Sequence, residues 1–252
     1  MYKVKATLVS FVGNEERYQC HFNYKIGDEI IYDGETFTGR ICAYLQQNLM
    51  PPLFGVFYAG PKYKDPFYYA PFWYVPLSKR DDKYKLETGG WAALPEGIEE
   101  PSPYMCGRNL VPAGSYFWPP NPNREVCKDV MALCTDPRAL AAFKIEAIDI
   151  AEKGAGNPAF FRKTMAALEV IKNNPGIDPK AIPQKLSQRH REELYPLAGD
   201  VFISVSVEQL EGVGFVELRD GKAYITEAGK DRWKRYVNSL TKEEKVALEI
   251  QA

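Results

Sequence analysis

The stretch Phe215-Val216-Glu217-Leu218-Arg219-Asp220-Gly221-Lys222-Ala223-Tyr224-Ile225 holds two short segments of high strand propensity, one on each side of Asp220-Gly221. Asp-Gly is a favoured pair for a two-residue hairpin turn, because both positions of that turn require a positive φ. The sequence therefore predicts two antiparallel strands, over 215–218 and 223–225, joined by a tight turn. Such a hairpin, set among helices, decides how the second half of the chain folds.

Helical patterns lie on both sides of this hairpin. An apolar stripe at helical spacing lies upstream, at Phe161, Met165, Leu168 and Ile171. Asn157 is a suitable N-cap for that first helix. The other predicted helices cover 184–194, a short segment that begins with a capping box at Ser206 and Gln209, and 227–240.

Three helices, a hairpin and a closing helix over residues 157–245 resemble a winged helix-turn-helix domain. The stretches Leu210 to Glu217 and Tyr224 to Gly229 are similar to the end of that fold in many small regulators. The resemblance implies a fold for this module and leaves its function open.

Charge disfavours DNA binding by this module. The expected recognition helix, around Val205 to Glu211, offers Gln209 but also Glu208 and Glu211, and it has no basic residue. Acidic side chains repel the phosphates that DNA-binding proteins contact, mostly with Arg and Lys. We therefore expect the module to dock a protein partner or a second copy of the chain, with DNA as the less favoured partner.

The first half of the chain predicts a small, mostly antiparallel α+β domain over residues 1–150. Residues 2–12 alternate polar and apolar side chains, which indicates a strand and not the continuous apolar centre of a signal peptide. We therefore expect a cytoplasmic protein. The other predicted elements are a strand within 26–34, a helix over 41–50 that Pro51-Pro52 ends, and strands at 53–58, 131–134 and 142–150.

Residues 60–130 differ from the rest of this domain and predict a long aromatic and proline-rich insertion. Their proline density excludes long helices, and their aromatic content argues against disorder. Large aromatic side chains supply contact area at low entropic cost. Tyr68, Phe72 and Trp73 are therefore candidates for a pocket wall or an interface, with packing of these rings onto the domain's own core as the alternative.

Outside the insertion, the first domain resembles a family of small, poorly characterised prokaryotic proteins. The resemblance covers roughly residues 1–60 and 130–150, and the chain departs from it where Leu133 precedes Cys134, since the family often has adjacent cysteines there. It implies a fold and a cysteine pattern without a mechanism. The matching residues are Tyr2-Lys3-Val4-Lys5, Cys20, Gly27-Asp28-Glu29, Asp33-Gly34, Gly39-Arg40-Ile41-Cys42, Cys134-Thr135-Asp136 and Phe143-Lys144-Ile145-Glu146.

The cysteines divide the chain chemically. All five lie in the first 134 residues, at Cys20, Cys42, Cys106, Cys127 and Cys134. A reducing cytoplasm would keep them as thiols, and none has the Cys-x-x-Cys spacing of a zinc finger. Three interpretations follow: a metal site, a nucleophilic or redox thiolate, or small buried hydrophobic residues.

For the metal interpretation, the candidate ligands are Cys20, Cys42, Cys134 and His21, and they would suit zinc, iron or an iron–sulfur cluster. The second histidine, His190, lies in a charged predicted helix and is expected at the surface. Asp136 is expected to serve a turn unless it converges on a thiol.

Composition excludes several functional classes. A net charge of −1 gives no electrostatic reason to expect nucleic acid or an anionic membrane as a partner. No apolar run approaches the roughly 18 residues that a membrane span needs. The sequence contains no Walker loop, dinucleotide-binding glycine motif or Gly-x-Ser-x-Gly elbow.

The leading hypothesis is a cysteine-centred, metal-binding protein that binds or transforms a small molecule and uses its winged helix for docking or dimerisation. One alternative is a ligand- or redox-responsive transcriptional regulator. Another is a non-catalytic subunit of a larger enzyme complex, with the aromatic insertion as its contact surface. Catalytic and non-catalytic roles are both compatible with these residues.

Overall fold

A computed structural model describes residues 1–11, 15, 17–63, 130–136, 139–154 and 157–250. It confirms the predicted α+β class and divides the chain into two compact units. The cysteine unit contains Val4–Tyr32 and Phe37–Glu146, and the helical unit contains Met1–Lys3, Asp33–Thr36 and Ala147–Ala252. The predictions for Tyr68, Phe72, Trp73, Cys106 and Cys127 lie outside the described residues.

An antiparallel sheet carries the first part of the fold. Its strands are β1 (Tyr2–Phe11), β2 (Glu29–Tyr32), β3 (Phe37–Thr38), β4 (Val130–Leu133) and β5 (Ala141–Ile150), in the spatial order β3-β2-β1-β5-β4. Ala6 pairs with Ile30 across β1 and β2, and Ala132 pairs with Phe143 across β4 and β5. In β1 every second residue from Tyr2 to Leu8 is buried, which confirms the predicted alternation.

Helix α1 (Ala43–Ala59) runs through Pro51 and Pro52. The predicted end at residue 50 and the predicted strand at 53–58 are therefore wrong. A proline inside a helix costs about 3 kcal/mol, but burying one leucine or valine side chain contributes roughly 1.5–3 kcal/mol. The buried face continues past the prolines at helical spacing, at Leu45, Leu49, Leu53 and Val56.

The helical unit contains the predicted hairpin. Asp220 and Gly221 have φ angles of 49° and 73°, as the turn requires, and Val216 pairs with Ile225. No described helix is both long and apolar enough to cross a bilayer. The elements are α2 (Asn157–Asn173), α3 (Ile182–Lys185), α4 (Asp200–Gly212), β6 (Val216–Arg219), β7 (Lys222–Ile225), α5 (Glu227–Ser239) and α6 (Lys242–Ala247).

Two predicted helices of this unit differ from the structure. The helix expected over 184–194 is replaced by the short α3 and a π-helical turn at Arg189–Glu193. Ser206 is not an N-cap, because α4 already begins at Asp200 and Ser206 is buried in its middle. Its hydroxyl lies 3.3 Å from the Thr164 hydroxyl, so the two polar groups satisfy each other in the core.

Charged and polar side chains are buried next to this turn. His190 is only 7% exposed, so its predicted place at the surface is wrong. Lys163, which is 2% exposed, donates hydrogen bonds to the carbonyls of His190 and Leu194. These bonds connect the irregular segment to α2. They supply hydrogen bonds to backbone carbonyls that this segment does not pair within a regular helix.

Candidate thiol site

Cys42 occupies the N-cap position of α1 and is 4% exposed. Its backbone N–H donates to the Tyr24 hydroxyl at 2.9 Å, and that hydroxyl donates to the Arg40 carbonyl at 2.8 Å. Burial raises the pKa of Tyr24 to about 12, so the phenol stays protonated and keeps both bonds through neutral pH. Tyr24 therefore fixes the backbone that carries the sulfur.

The His21 imidazole faces this sulfur. Its Nε2 lies 3.5 Å from the Cys42 Sγ, and its ring meets the Tyr44 ring edge-on with centroids 5.0 Å apart. The His21 side chain is 43% exposed, so the imidazole lies between the buried sulfur and solvent. An imidazole at this distance can accept the thiol proton or donate to the thiolate.

Asp136 lies on the opposite edge of the same imidazole. Its Oδ2 is 3.8 Å from His21 Nδ1, and its side chain is 9% exposed. This distance is longer than a hydrogen bond, so the carboxylate interacts with the ring electrostatically. A negative charge beside Nδ1 favours the tautomer with a proton there and leaves Nε2 free to accept a proton from the sulfur. Sulfur, imidazole and carboxylate therefore have the order of a nucleophile, a base and the group that orients the base.

The loop that carries Asp136 is tied to the start of α1. Thr135 donates to the Tyr44 carbonyl at 3.0 Å from its backbone N–H and again at 3.0 Å from its hydroxyl. One turn further along α1, Asn48 Nδ2 donates to the Leu133 carbonyl at 2.9 Å. These bonds hold the carboxylate-bearing loop against the helix whose first turn follows Cys42.

Arg40 fixes the segment that carries His21. Its guanidinium donates to the carbonyls of Phe22 and Asn23, both at 3.3 Å, and lies 4.8 Å from the centre of the Phe22 ring. The Asn23 N–H donates in turn to the Cys20 carbonyl at 2.8 Å, closing a turn around His21. The position of His21 is therefore fixed by hydrogen bonds to the backbone around it, in addition to its contact with Cys42.

Cys134 has a different environment from Cys42. Its sulfur accepts a hydrogen bond from the Ala141 N–H at 3.1 Å and lies 3.8 Å from the Asp136 carbonyl oxygen. Burial raises the pKa of the Cys134 thiol, which therefore stays protonated at neutral pH. Cys20 is also a buried free thiol. Both residues have the character of small core side chains.

No group of three or more His, Cys, Asp and Glu side chains is arranged to hold a metal ion in the part of the chain that the structure describes. All four predicted ligands lie in that part, and the structure brings His21 to Cys42 but does not assemble Cys20 and Cys134 with them as a metal site. Metal binding by these residues stays a prediction. The third group at the site is the Asp136 carboxylate, which lies beside the His21 ring.

The first turn of α1 adds possible donors to the site. The Cys42 side chain makes no capping hydrogen bond, and the first intrahelical bonds run from Leu45 and Gln46 to the Cys42 carbonyl. The N–H groups of Ala43 and Tyr44 have no acceptor among the described residues. Free N–H groups at a helix N-terminus can stabilise negative charge, and these two directly follow Cys42 in the chain.

Sequence reasoning identified Cys42 and His21 as candidate residues and missed the contributions of Tyr24, Arg40 and Tyr44. Asp136 was expected to serve a turn unless it converged on a thiol, and it approaches one through His21. The signal was present in the run Cys134-Thr135-Asp136, but its distance from residue 21 in the chain hid the contact. No protein-family model, curated protein or solved structure matches this chain.

Proposed function

We propose that the protein is a thiol-dependent enzyme that transfers or hydrolyses an acyl group of a small ester or thioester. Cys42 is the nucleophile, His21 the general base and Asp136 the residue that orients the imidazole. One observation carries the proposal: His21 places Nε2 3.5 Å from the Cys42 sulfur and Nδ1 3.8 Å from the buried Asp136 carboxylate.

The first half of the reaction forms an acyl-enzyme. His21 Nε2 takes the proton from the Cys42 thiol, and the sulfur attacks the carbonyl carbon of the substrate. The electron pair of the C=O bond moves to oxygen, and the N–H groups of Ala43 and Tyr44 are the donors that can stabilise this charge. When the tetrahedral intermediate collapses, the bond to the leaving group breaks and His21 returns its proton to that group.

The second half of the reaction releases the acid. Water attacks the thioester carbon while His21 accepts its proton, and the Cys42 sulfur leaves and regains that proton from the imidazole. Substrate and water are consumed, and an acid and an alcohol or thiol are produced. The 43% exposure of the His21 side chain supplies the access to solvent that this step needs.

The buried-hydrophobe alternative explains less of the site. It accounts for Cys20 and Cys134, whose sulfur atoms face no imidazole in the described contacts. It does not account for a half-exposed histidine placed between a sulfur and a buried carboxylate. That arrangement has a cost, because it keeps the Asp136 carboxylate largely out of water.

Acylation by p-nitrophenyl acetate tests the proposal. We expect a burst of p-nitrophenol, a mass increase of one acetyl group in the intact protein, and the acetyl group on the peptide that contains Cys42. The variant Cys42→Ser should lose the burst, and the matched variant Cys134→Ser should retain it. Equal labelling of the two cysteines, or a burst that survives Cys42→Ser, would contradict the proposal.

We also propose that the helical unit docks a second copy of the chain. Large apolar side chains are exposed at Tyr195 (72%), Leu197 (64%) and Val201 (80%), close together in the sequence before and at the start of α4. Large apolar side chains exposed near one another in the sequence are candidates for a protein interface. Light scattering should show a dimer that Val201→Asp dissociates, while a monomeric wild-type protein would contradict this role.

A further inference from the structure

A polar cavity of about 360 Å³ lies within the helical unit, and none of its lining residues takes part in the proposed acyl chemistry. It is bounded by α2, by the segment after α3, by α5 and by the residues that follow α6. This volume is at the lower end of the range of small-molecule sites in proteins. The polar residues that matter to the argument are Glu169, Lys172, His190, Trp233 and Glu249.

His190, one of the residues that line this cavity, has an unused acceptor. Its Nε2 lies 3.0 Å from the Leu248 carbonyl, and because a carbonyl can only accept, Nε2 carries the proton and donates. Burial lowers the pKa of His190, so the imidazole is neutral and Nδ1 is an acceptor. No described residue donates to this buried atom. His190 is only 7% exposed, and a side chain this deeply buried rarely leaves a polar atom without a hydrogen bond.

Trp233, which also lines the cavity, has an unused donor. Its indole N–H is buried and has no acceptor among the described residues. The Lys172 ammonium lies 3.5 Å from the centre of the Trp233 ring, which fixes a positive charge at the cavity wall. Burial raises the pKa of Glu169 on the same wall, and the Lys172 charge opposes that shift.

The unsatisfied groups have opposite requirements. His190 Nδ1 needs a donor, and Trp233 Nε1 needs an acceptor. The charged groups at the cavity also have both signs, with Lys172 positive and Glu249 negative. A purely anionic or purely cationic ligand would match only half of these groups, whereas a molecule with an ammonium and a carboxylate would match all of them.

We propose that this cavity binds a free amino acid or a molecule of the same size that carries both an amino and a carboxylate group. The amino group donates to His190 Nδ1, and the carboxylate accepts from Trp233 Nε1 beside the Lys172 ammonium. The site is independent of the Cys42 chemistry, and its occupancy gives the protein a second ligand of defined chemical class.

Calorimetric titration of the full-length protein with each common L-amino acid tests the proposal. We expect at least one amino acid to bind with a dissociation constant below about 10 mM. Its N-acetyl and amide derivatives each lack one charge, and they should bind about tenfold more weakly. Trp233→Phe keeps an aromatic ring beneath Lys172 but removes the N–H, and it should weaken binding about tenfold. Tyr224→Phe removes a hydroxyl outside this cavity and is the matched control.

Nuclear magnetic resonance of the wild-type protein supplies a readout that does not depend on the variants. Binding should shift the indole N–H signal of Trp233 and the Nδ1 signal of His190, as both atoms gain partners. Three results would overturn the proposal: no amino acid binds at about 10 mM, Trp233→Phe binds as tightly as the wild-type protein, or the two signals stay unchanged at saturation because ordered water alone occupies the cavity.

Discussion

His21 Nε2 lies 3.5 Å from the Cys42 sulfur, and the backbone N–H of Cys42 is separately fixed by the Tyr24 hydroxyl at 2.9 Å. The sulfur and the imidazole are thus positioned by different neighbours. The two residues lie 21 positions apart in the chain, and the fold brings the imidazole next to the thiol. The proposed chemistry depends on this contact more than on any other in the protein.

Removing the charge of Asp136 should slow the reaction without removing it. Asp136→Asn keeps the shape of the side chain but no longer favours the proton on His21 Nδ1, so fewer imidazoles can accept at Nε2. We expect the burst with p-nitrophenyl acetate to slow about tenfold to a hundredfold. Asp200→Asn, at the exposed start of α4, changes the net charge equally and should leave the rate unchanged.

Replacing Cys134 should affect stability and not activity. Cys134→Ala leaves the Ala141 N–H without its acceptor in a buried place, which costs about 1–3 kcal/mol in the free energy of unfolding. Cys134→Ser keeps a hydrogen-bond acceptor, so its free energy of unfolding should fall by less. Urea unfolding of both variants checks this prediction, and an alanine variant as stable as the serine variant would show that the N–H to sulfur bond is not important.

Removing the Tyr24 hydroxyl should lower both the stability of the protein and the reactivity of Cys42. Tyr24→Phe leaves the Cys42 N–H and the Arg40 carbonyl without a shared partner inside the protein. We expect a loss of about 1–3 kcal/mol in the free energy of unfolding and a slower burst, because the backbone at the start of α1 is no longer fixed. A variant that unfolds earlier but reacts at the wild-type rate would separate Tyr24 from the site.

His190 should make the protein less stable in acid. Burial lowers its pKa below the ordinary value of 6.5, with Lys163 and Arg189 adding to the shift and the Leu248 carbonyl and Glu249 opposing it. Between the folded and unfolded pKa values the unfolded chain binds more protons, so stability rises with pH in that window. The contribution is complete above about pH 6.5 and is lost as the pH falls through the folded pKa.

Urea unfolding at a series of pH values from about 7.5 down to 5 checks the sign of this dependence. The variant His190→Gln cannot titrate, and its stability should fall less steeply over the same range. If the wild-type protein and the variant lost stability in parallel, other groups would be responsible for the acid sensitivity.

Elements that rest on local chemistry were predictable from the sequence. The hairpin at Asp220-Gly221 depends on two residues that accept a positive φ, and β1 depends on alternation within one strand. The helices predicted on either side of the hairpin, after Asn157 and over 227–240, are also present, while the resemblances to a winged helix and to the small prokaryotic family stay predictions. In each of these cases the information lies within a few neighbouring residues.

Features that depend on distant contacts were not predictable. α1 continues through Pro51 and Pro52 with Leu53 and Val56 buried, and this helix packs against β4, which lies far along the chain. His190 is buried because Lys163 and the Leu248 carbonyl satisfy its segment, and a charged local sequence gives no sign of that. The role of Asp136 has the same origin, since only the folded chain brings the carboxylate to His21.

The most direct test of the central claim is the rate at which iodoacetamide alkylates Cys42 at pH 7 in the wild-type protein and in His21→Gln, followed by peptide mass spectrometry. If His21 accepts the thiol proton, the rate at Cys42 should fall about tenfold or more in the variant, while Cys20 and Cys134 react slowly and equally in both proteins. An unchanged rate at Cys42, or a fall of the same size at all three cysteines, would contradict the account.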